Sequence, residues 1–308
     1  MKQTHITNIW RSVKKVIYYI LPLIAAVIIL FCWYTTQHHR RLVKRNENYA
    51  ADSAHIKAEQ IDDELNNTLL RINTQSYLIG EGLDSPYLPV QKIKTIEEKV
   101  SYDAFIFTGI DGIDYMSDGR TFSVKDQEFY KEGMEGKTGI DITFDSHIFG
   151  ETMTCFYAPL RYNGRIIGII RGAYLAEEYL KDMLETTYFG EAAKIYLCKQ
   201  NGSVIASSDG STYNGHLIDM LADNGIIDEG TADKAKLIFT EKGRASFICK
   251  SNSKTDNLCV TSLPHSGFML VQTFPKSITQ QMMREENIIG IQLEIALIVL
   301  FILYIITF

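Results

Sequence analysis

The sequence predicts an α+β chain: a long N-terminal helix and two antiparallel-sheet modules, flanked by two transmembrane helices. Three observations predict it. Apolar runs with almost no charge occupy residues 16–34 and 288–308, and a helix needs roughly 20 such residues to cross the hydrocarbon. Residues 40–79 contain neither Gly nor Pro. Between residues 104 and 274, short apolar segments alternate with Gly-containing turns, twice in the same order.

The first run follows Lys14 and Lys15 and ends in Phe31-Cys32-Trp33-Tyr34, which lacks the small residues of a cleavage site, so it reads as an uncleaved anchor. Basic residues stand on both sides of it: Lys2, Arg11, Lys14 and Lys15 before, Arg40, Arg41, Lys44 and Arg45 after. The positive-inside rule therefore gives no orientation; the two-span plan places the middle region outside. The resulting division is a cytoplasmic N-terminus (1–15), a first span (16–36), an external region (37–285) and a second span (288–308).

In residues 40–79, Ile56, Ile61, Leu65, Leu69, Ile72, Tyr77 and Ile79 recur at the spacing of one helical face. Gly80, Gly82, Pro86 and Pro89 end it. A short helix is expected at 91–100, then strands at 104–108 and 113–117 around the turn Asp111-Gly112. Asp118-Gly119 marks another turn. Residues 126–135 read as a helix capped by Ser123 or Asp126. Strands at 153–160 and 165–174 flank Tyr162-Asn163-Gly164, and a helix follows at 176–184. The second module repeats the plan: strands at 193–199 and 203–207 around Asn201-Gly202, helices at 216–221 and 229–239, strands at 244–250, 258–263 and 268–274, and a helix at 275–286.

The five cysteines match no zinc or redox spacing. Cys249 and Cys259 either face each other across a hairpin as a disulfide or are separate buried thiols. The net charge of −6 and the lack of a basic, aromatic-interleaved patch argue against nucleic acid. Asp111, Asp114 and Asp118 lack the further ligands of a calcium loop, and no other metal or cofactor motif is present. Nucleotide-binding, hydrolase, metalloprotease and cyclase signatures are all missing, which argues against catalysis by this region.

Spread over about residues 40–285, a set of short pieces resembles the double Cache family of bacterial extracellular sensors, built from two PAS-like modules. The pieces are the long first helix, Asp111-Gly112, Ser117-Asp118-Gly119-Arg120, Asp126 to Lys131 with Gly136-Lys137, Tyr157-Ala158-Pro159-Leu160, Gly164 to Gly168, Asn201 to Ile205, and Gly267 to Val271. The resemblance implies a distal module (about 85–180) that holds a small-molecule ligand and a proximal one (about 190–275) that couples to the second span. It also implies a homodimer paired through the first helices.

The same resemblance makes Tyr115, Asp118, Arg120, Gln127, Phe129, Tyr130, Tyr157 and Tyr174 candidates to line the distal pocket; aromatic walls with few polar groups suit a small ligand. Members that bind amino acids carry Arg-x-aromatic-Tyr on the pocket helix and an Asp on a later strand. Here Gln127, Phe129 and Tyr130 occupy the first motif and Tyr174 stands near the second. A ligand carboxylate would lack the guanidinium of that motif. Read as ordinary protein chemistry, the aromatics are core residues and Asp118 is a turn former.

The implied function is the sensory and membrane-spanning part of a cell-membrane receptor, its partners an unknown small molecule, the bilayer and a second copy. The resemblance points to a cyclic-di-GMP output (diguanylate cyclase or phosphodiesterase), with a histidine kinase as alternative. A stand-alone, two-span binding protein is the reading from another class. Residues 295–308 carry no charge, and a finished span usually closes on an anchoring residue, which favours continuation beyond Phe308.

Overall fold

A computed structural model describes residues 2–143, 150, 152–184, 193–210, 213, 215–249 and 253–275, with residues 288, 291, 292, 295 and 299. The chain divides into two compact units, Met1–Tyr49 with Gln280–Phe308, and Ala50–Thr279. In the first unit the described backbone is helical, and Thr35 and Thr36 donate their hydroxyls to the Cys32 carbonyl. Among the described residues no helix is long and apolar enough to cross a membrane. Most of both expected spans and the expected helix beyond Pro275 lie outside the described residues or their described side chains.

The elements are α1 (Lys2–Glu81), α2 (Val90–Glu97), β1 (Ala104–Gly109), β2 (Ile113–Met116), β3 (Thr121–Ser123), α3 (Glu128–Met134), β4 (Gly139–Thr143), β5 (Met153–Tyr162), β6 (Arg165–Leu175) and α4 (Ala176–Leu184). The second half adds β7 (Lys194–Cys198), β8 (Val204–Ser207), α5 (Leu217–Asp223), α6 (Glu229–Glu241), β9 (Arg244–Ile248), β10 (Thr255–Ser262) and β11 (Met269–Pro275). Two antiparallel sheets result, ordered β3-β2-β1-β6-β5-β4 and β8-β7-β11-β10-β9. Apart from β3, the two orders are the same. In each, the opening strand of the module pairs with its closing strand, so the repeat inferred from turn spacing is a repeat of topology.

Asx-Gly turns begin both modules. Asp111 Oδ1 accepts from Ile113 N–H, Asp118 Oδ1 from Arg120 N–H and Asn201 Oδ1 from Ser203 N–H. Gly112, Gly119 and Gly202 follow at positive φ, the turn chemistry of these pairs. Asn163-Gly164, also at positive φ, closes the β5–β6 hairpin as a two-residue loop.

In the second unit, the face that α1 buries runs Ala50, Ala54, Ala58, Ile61, Leu65, Thr68, Ile72 and Ser76, steps of three and four that keep one side inward. This corrects the seam read from apolar residues alone: Ile56 and Tyr77 are exposed, and alanines take their place. Small side chains let the backbone come close enough for direct bonds. Gln272 Nε2 donates to the Ala54 carbonyl at 3.2 Å, and Ser76 Oγ to the Pro159 carbonyl at 2.8 Å. Leu65 and Ile72 enter one core with Phe105, Phe156 and Ile170 of the first sheet and Leu197, Leu263 and Leu270 of the second module. Asp62 accepts from the His265 and Ser266 backbone N–H groups and lies 2.7 Å from His265 Nδ1, tying α1 to the β10–β11 turn.

Three local readings are corrected. The N-cap of α3 is Gln127, without a side-chain bond, rather than Ser123 or Asp126. Strands β3 and β4 were not expected; both are short edge strands whose sequences alternate weakly. Residue 275 closes a strand instead of opening a helix. The choice left open at Cys249 and Cys259 falls to separate buried thiols. Cys259 pairs in register with Ser246, whereas Cys249 follows the end of β9 and packs into a different apolar cluster, so a bridge between them has no geometry to form.

The α5 cap yields a pH dependence. His216 Nδ1 accepts from Ile218 N–H at 3.2 Å, and its ring lies 5.0 Å from that of Phe239. An acceptor nitrogen must be unprotonated. Burial, with Lys236 adding to it against Asp219, pulls the imidazole below its usual range. A depressed value means that this contribution to stability is present above pH ~6.5 and is lost as pH falls through the depressed value. His216→Asn keeps a capping side chain and should flatten the difference in urea midpoint between pH 7.5 and 5.5; an unchanged difference would place the titrating group elsewhere.

Candidate functional site

Strand alternation sorts the candidate residues onto two faces of the six-stranded sheet. The registers Phe107↔Tyr115 and Thr154↔Tyr174 place Tyr115 and Tyr174 with the core packed on α1. There Tyr174 stacks on Tyr179, ring centroids 4.4 Å apart, and Tyr115 donates its hydroxyl to Asp111 at 2.8 Å. The opposite face is covered by α3. It carries Phe129, Tyr130, Tyr157 and Ile169 as one buried cluster. Gly133 brings the helix down onto this sheet: a Cβ there would stand 2.5 Å from Ile169 Cδ1.

The structure thus gathers Phe129, Tyr130 and Tyr157 and separates them from the rest. Asp118 and Arg120 form an exposed pair at the β2–β3 turn, Nε to Oδ2 at 2.6 Å. Gln127 is exposed at the cap of α3. Tyr130 donates to the Ile110 carbonyl at 2.8 Å, fixing α3 to the β1–β2 turn, and Tyr157 donates to Glu132 Oε2 at 2.7 Å. Burial raises both phenols, with the Glu132 bond adding to the effect at Tyr157, so both remain donors at neutral pH.

On the same face stands a charged group that the sequence reading passed over. Arg171 projects from the middle of β6, and Asp114 from β2; their side chains are 4% and 0% exposed. Arg171 Nη2 donates to Asp114 Oδ2, and Thr108 of the intervening β1 donates to Asp114 Oδ1 at 2.6 Å. The guanidinium carbon lies 4.2 Å from the centre of the Phe129 ring, within cation–π range. Burial pushes the Asp114 carboxyl up, against the opposing pull of Arg171 and Thr108. Register aligns Ile106, Arg171, Tyr157 and Gly139 in one row across four strands. The next row is Ala104, Ala173, Cys155 and Asp141, three short side chains ending at a carboxylate. The Cys155 thiol, pushed up to about 12 by burial, is inert here.

The signal for Arg171 was present in the sequence: one charge inside an otherwise apolar strand, a position rarely charged unless paired. The three aspartates weighed as a cation site are separately engaged, Asp111 and Asp118 in turns and Asp114 with Arg171. Among the described residues no cluster of metal-ligating side chains occurs.

No family model matches the sequence, and no curated protein matches it. Solved structures match by fold. The extracellular domain of a protein assigned as a histidine kinase, rpHK1S-Z16, is 12% identical with a TM-score of 0.59, covering 76% of this chain and 96% of that one. The ligand-binding domain of the Campylobacter jejuni chemoreceptor Tlp3, solved with L-valine, is 13% identical with a TM-score of 0.57, covering 78% and 96%. That of the Pseudomonas fluorescens chemoreceptor CtaA, solved with L-isoleucine, is 15% identical with a TM-score of 0.59, covering 77% and 94%. This chain shares its fold with these sensory and ligand-binding domains.

Proposed function

We propose that residues 37–285 form the extracellular or periplasmic sensor of a transmembrane receptor, anchored by spans at 16–36 and 288–308. A small molecule binds in the first, distal module (about 85–180), on the face covered by α3. The observation that carries this reading is the joining, on that one face, of an aromatic cluster and a buried charged network. Folding alone gains little from such a network, whereas small-molecule sites combine apolar walls with a few fixed polar groups. Occupancy biases the chain between two arrangements by the difference in affinity for them. The second module (about 190–275) passes that bias on; the shared grip of α1 on both sheets supports this route.

A second copy pairs along α1. Ile56, Leu70 and Tyr77 are exposed and fall on one seven-residue repeat, with Asp63 at the remaining position. The output is a diguanylate cyclase or cyclic-di-GMP phosphodiesterase. A histidine kinase is the second reading, favoured by the likeness to the rpHK1S-Z16 domain.

The test of the site is Tyr130→Ala in the full chain, in detergent, screened against small metabolites by thermal melting. A ligand at one hundred times its Kd stabilises the folded state by about 2.7 kcal/mol. Any compound that raises the melting temperature of the parent should do so at least tenfold less potently in Tyr130→Ala, because the Tyr130 hydroxyl holds α3 to the sheet. Equal potency would move the site off this face.

A further inference from the structure

Arg171 is incompletely used by the fold. A guanidinium offers five N–H donors. Asp114 receives one at Nη2, while Nε is buried and has no acceptor among the described residues. The side chain is 4% exposed, so bulk water does not serve that donor. Asp114 cancels the charge but leaves the donor unserved. A buried ionic pair can be replaced by apolar residues without loss of stability; its retention inside an apolar strand needs another reason.

The surroundings say what acceptor fits. Phe129 covers one side of the guanidinium at 4.2 Å. Glu132 is engaged by the Tyr157 hydroxyl and by Lys137. Asp141 lies two strands from β6 and one row away from Arg171. Beside Arg171 the sheet carries Ala104, Ala173 and Cys155, short side chains in one apolar cluster.

We propose that Arg171 receives the carboxylate of the ligand, whose apolar body lies over the row Ala104, Ala173 and Cys155. This rests on the reading of the α3 face as the ligand site. A charge-assisted hydrogen bond is about twice as strong as a neutral one, so a carboxylate is favoured over an amide of the same shape. An ammonium group brings only donors to an unserved donor. Gln127 stands where related pockets carry an arginine on the helix; here the guanidinium rises from the strand beneath.

The test uses the full chain in detergent and six probes: 3-methylpentanoate, 3-methylpentanamide and 2-methylbutylamine, with phenylacetate, phenylacetamide and 2-phenylethylamine. The proposal expects at least one carboxylate to raise the melting temperature and its amide and amine to bind at least tenfold more weakly. It also expects the carboxylate affinity to fall at least thirtyfold in Arg171→Lys, which keeps the charge and loses the planar donor, and in the paired variant Asp114→Asn/Arg171→Met, which leaves no orphaned charge. If an amide or amine binds as well as the acid, or the paired variant binds the acid unchanged, the carboxylate role is overturned. Continued sensitivity of that binding to Tyr130→Ala would then leave the site itself standing. If none of the six probes binds, the carboxylate role is overturned together with this placement of the site.

Discussion

Asp114→Ala is expected to lower stability by about 3–5 kcal/mol, the cost of leaving a buried charge without its partner. Asp114 is fully buried and holds Arg171 from across β1, with Thr108 completing the arrangement. Removing the carboxylate strands a guanidinium between Phe129 and the sheet. The urea midpoint of residues 40–285 is the measurement. The paired variant Asp114→Asn/Arg171→Met should lie within about 1.5 kcal/mol of the parent, because both charges leave together and the replaced volumes are similar. A single variant as mild as the pair would show that Arg171 has another anion close by. A pair as damaging as the single would make the network structural, and Arg171 would lose its claim to be held for a ligand.

The second large effect belongs to the other face. Phe156→Ala is expected to cost about 3–5 kcal/mol. Phe156 is fully buried between α1 and the sheet, edge-on to Tyr174 and Tyr179 at 6.1 and 5.8 Å. Its loss opens a cavity against strands and helices that have little freedom to collapse. The residues that bear on the α3 face keep their own register, so the ranking of carboxylate, amide and amine probes should survive while the urea midpoint falls. A change in that ranking would show that the two faces are coupled and that Tyr174 and its stacked partner belong to the site after all.

These outcomes bear on what the sequence made legible. Topology was readable because its signals are local. Asp111-Gly112, Asn163-Gly164 and Asn201-Gly202 fix turns within two residues, and the apolar strands between them have few other ways to pair. The edge strands β3 and β4 escaped because an edge needs only one apolar flank and Thr121–Ser123 has almost none. The packing face of α1 escaped for a different reason. Ala50, Ala54 and Ala58 are chosen for closeness, and closeness to a neighbour is not a property of the helix itself. The site divides the same way. Phe129 and Tyr130 are adjacent in sequence and were found together. The bond from Arg171 to Asp114 spans β1, and only the strand order β2-β1-β6 brings the two within reach.

The cysteines carry a practical consequence. Cys155, Cys198, Cys249 and Cys259 are buried, and Cys32 alone is exposed. Cys32 lies in the proposed first span, away from aqueous reagent, so a maleimide spin label on Tyr77→Cys, at the exposed seam of α1, marks one position per chain without removing any native thiol. Chains joined through their first helices return a single inter-label distance by pulsed dipolar spectroscopy, and separate chains return none. Following that distance as the small acids are added turns one added thiol into a ruler for whatever the sensor does to its first helix.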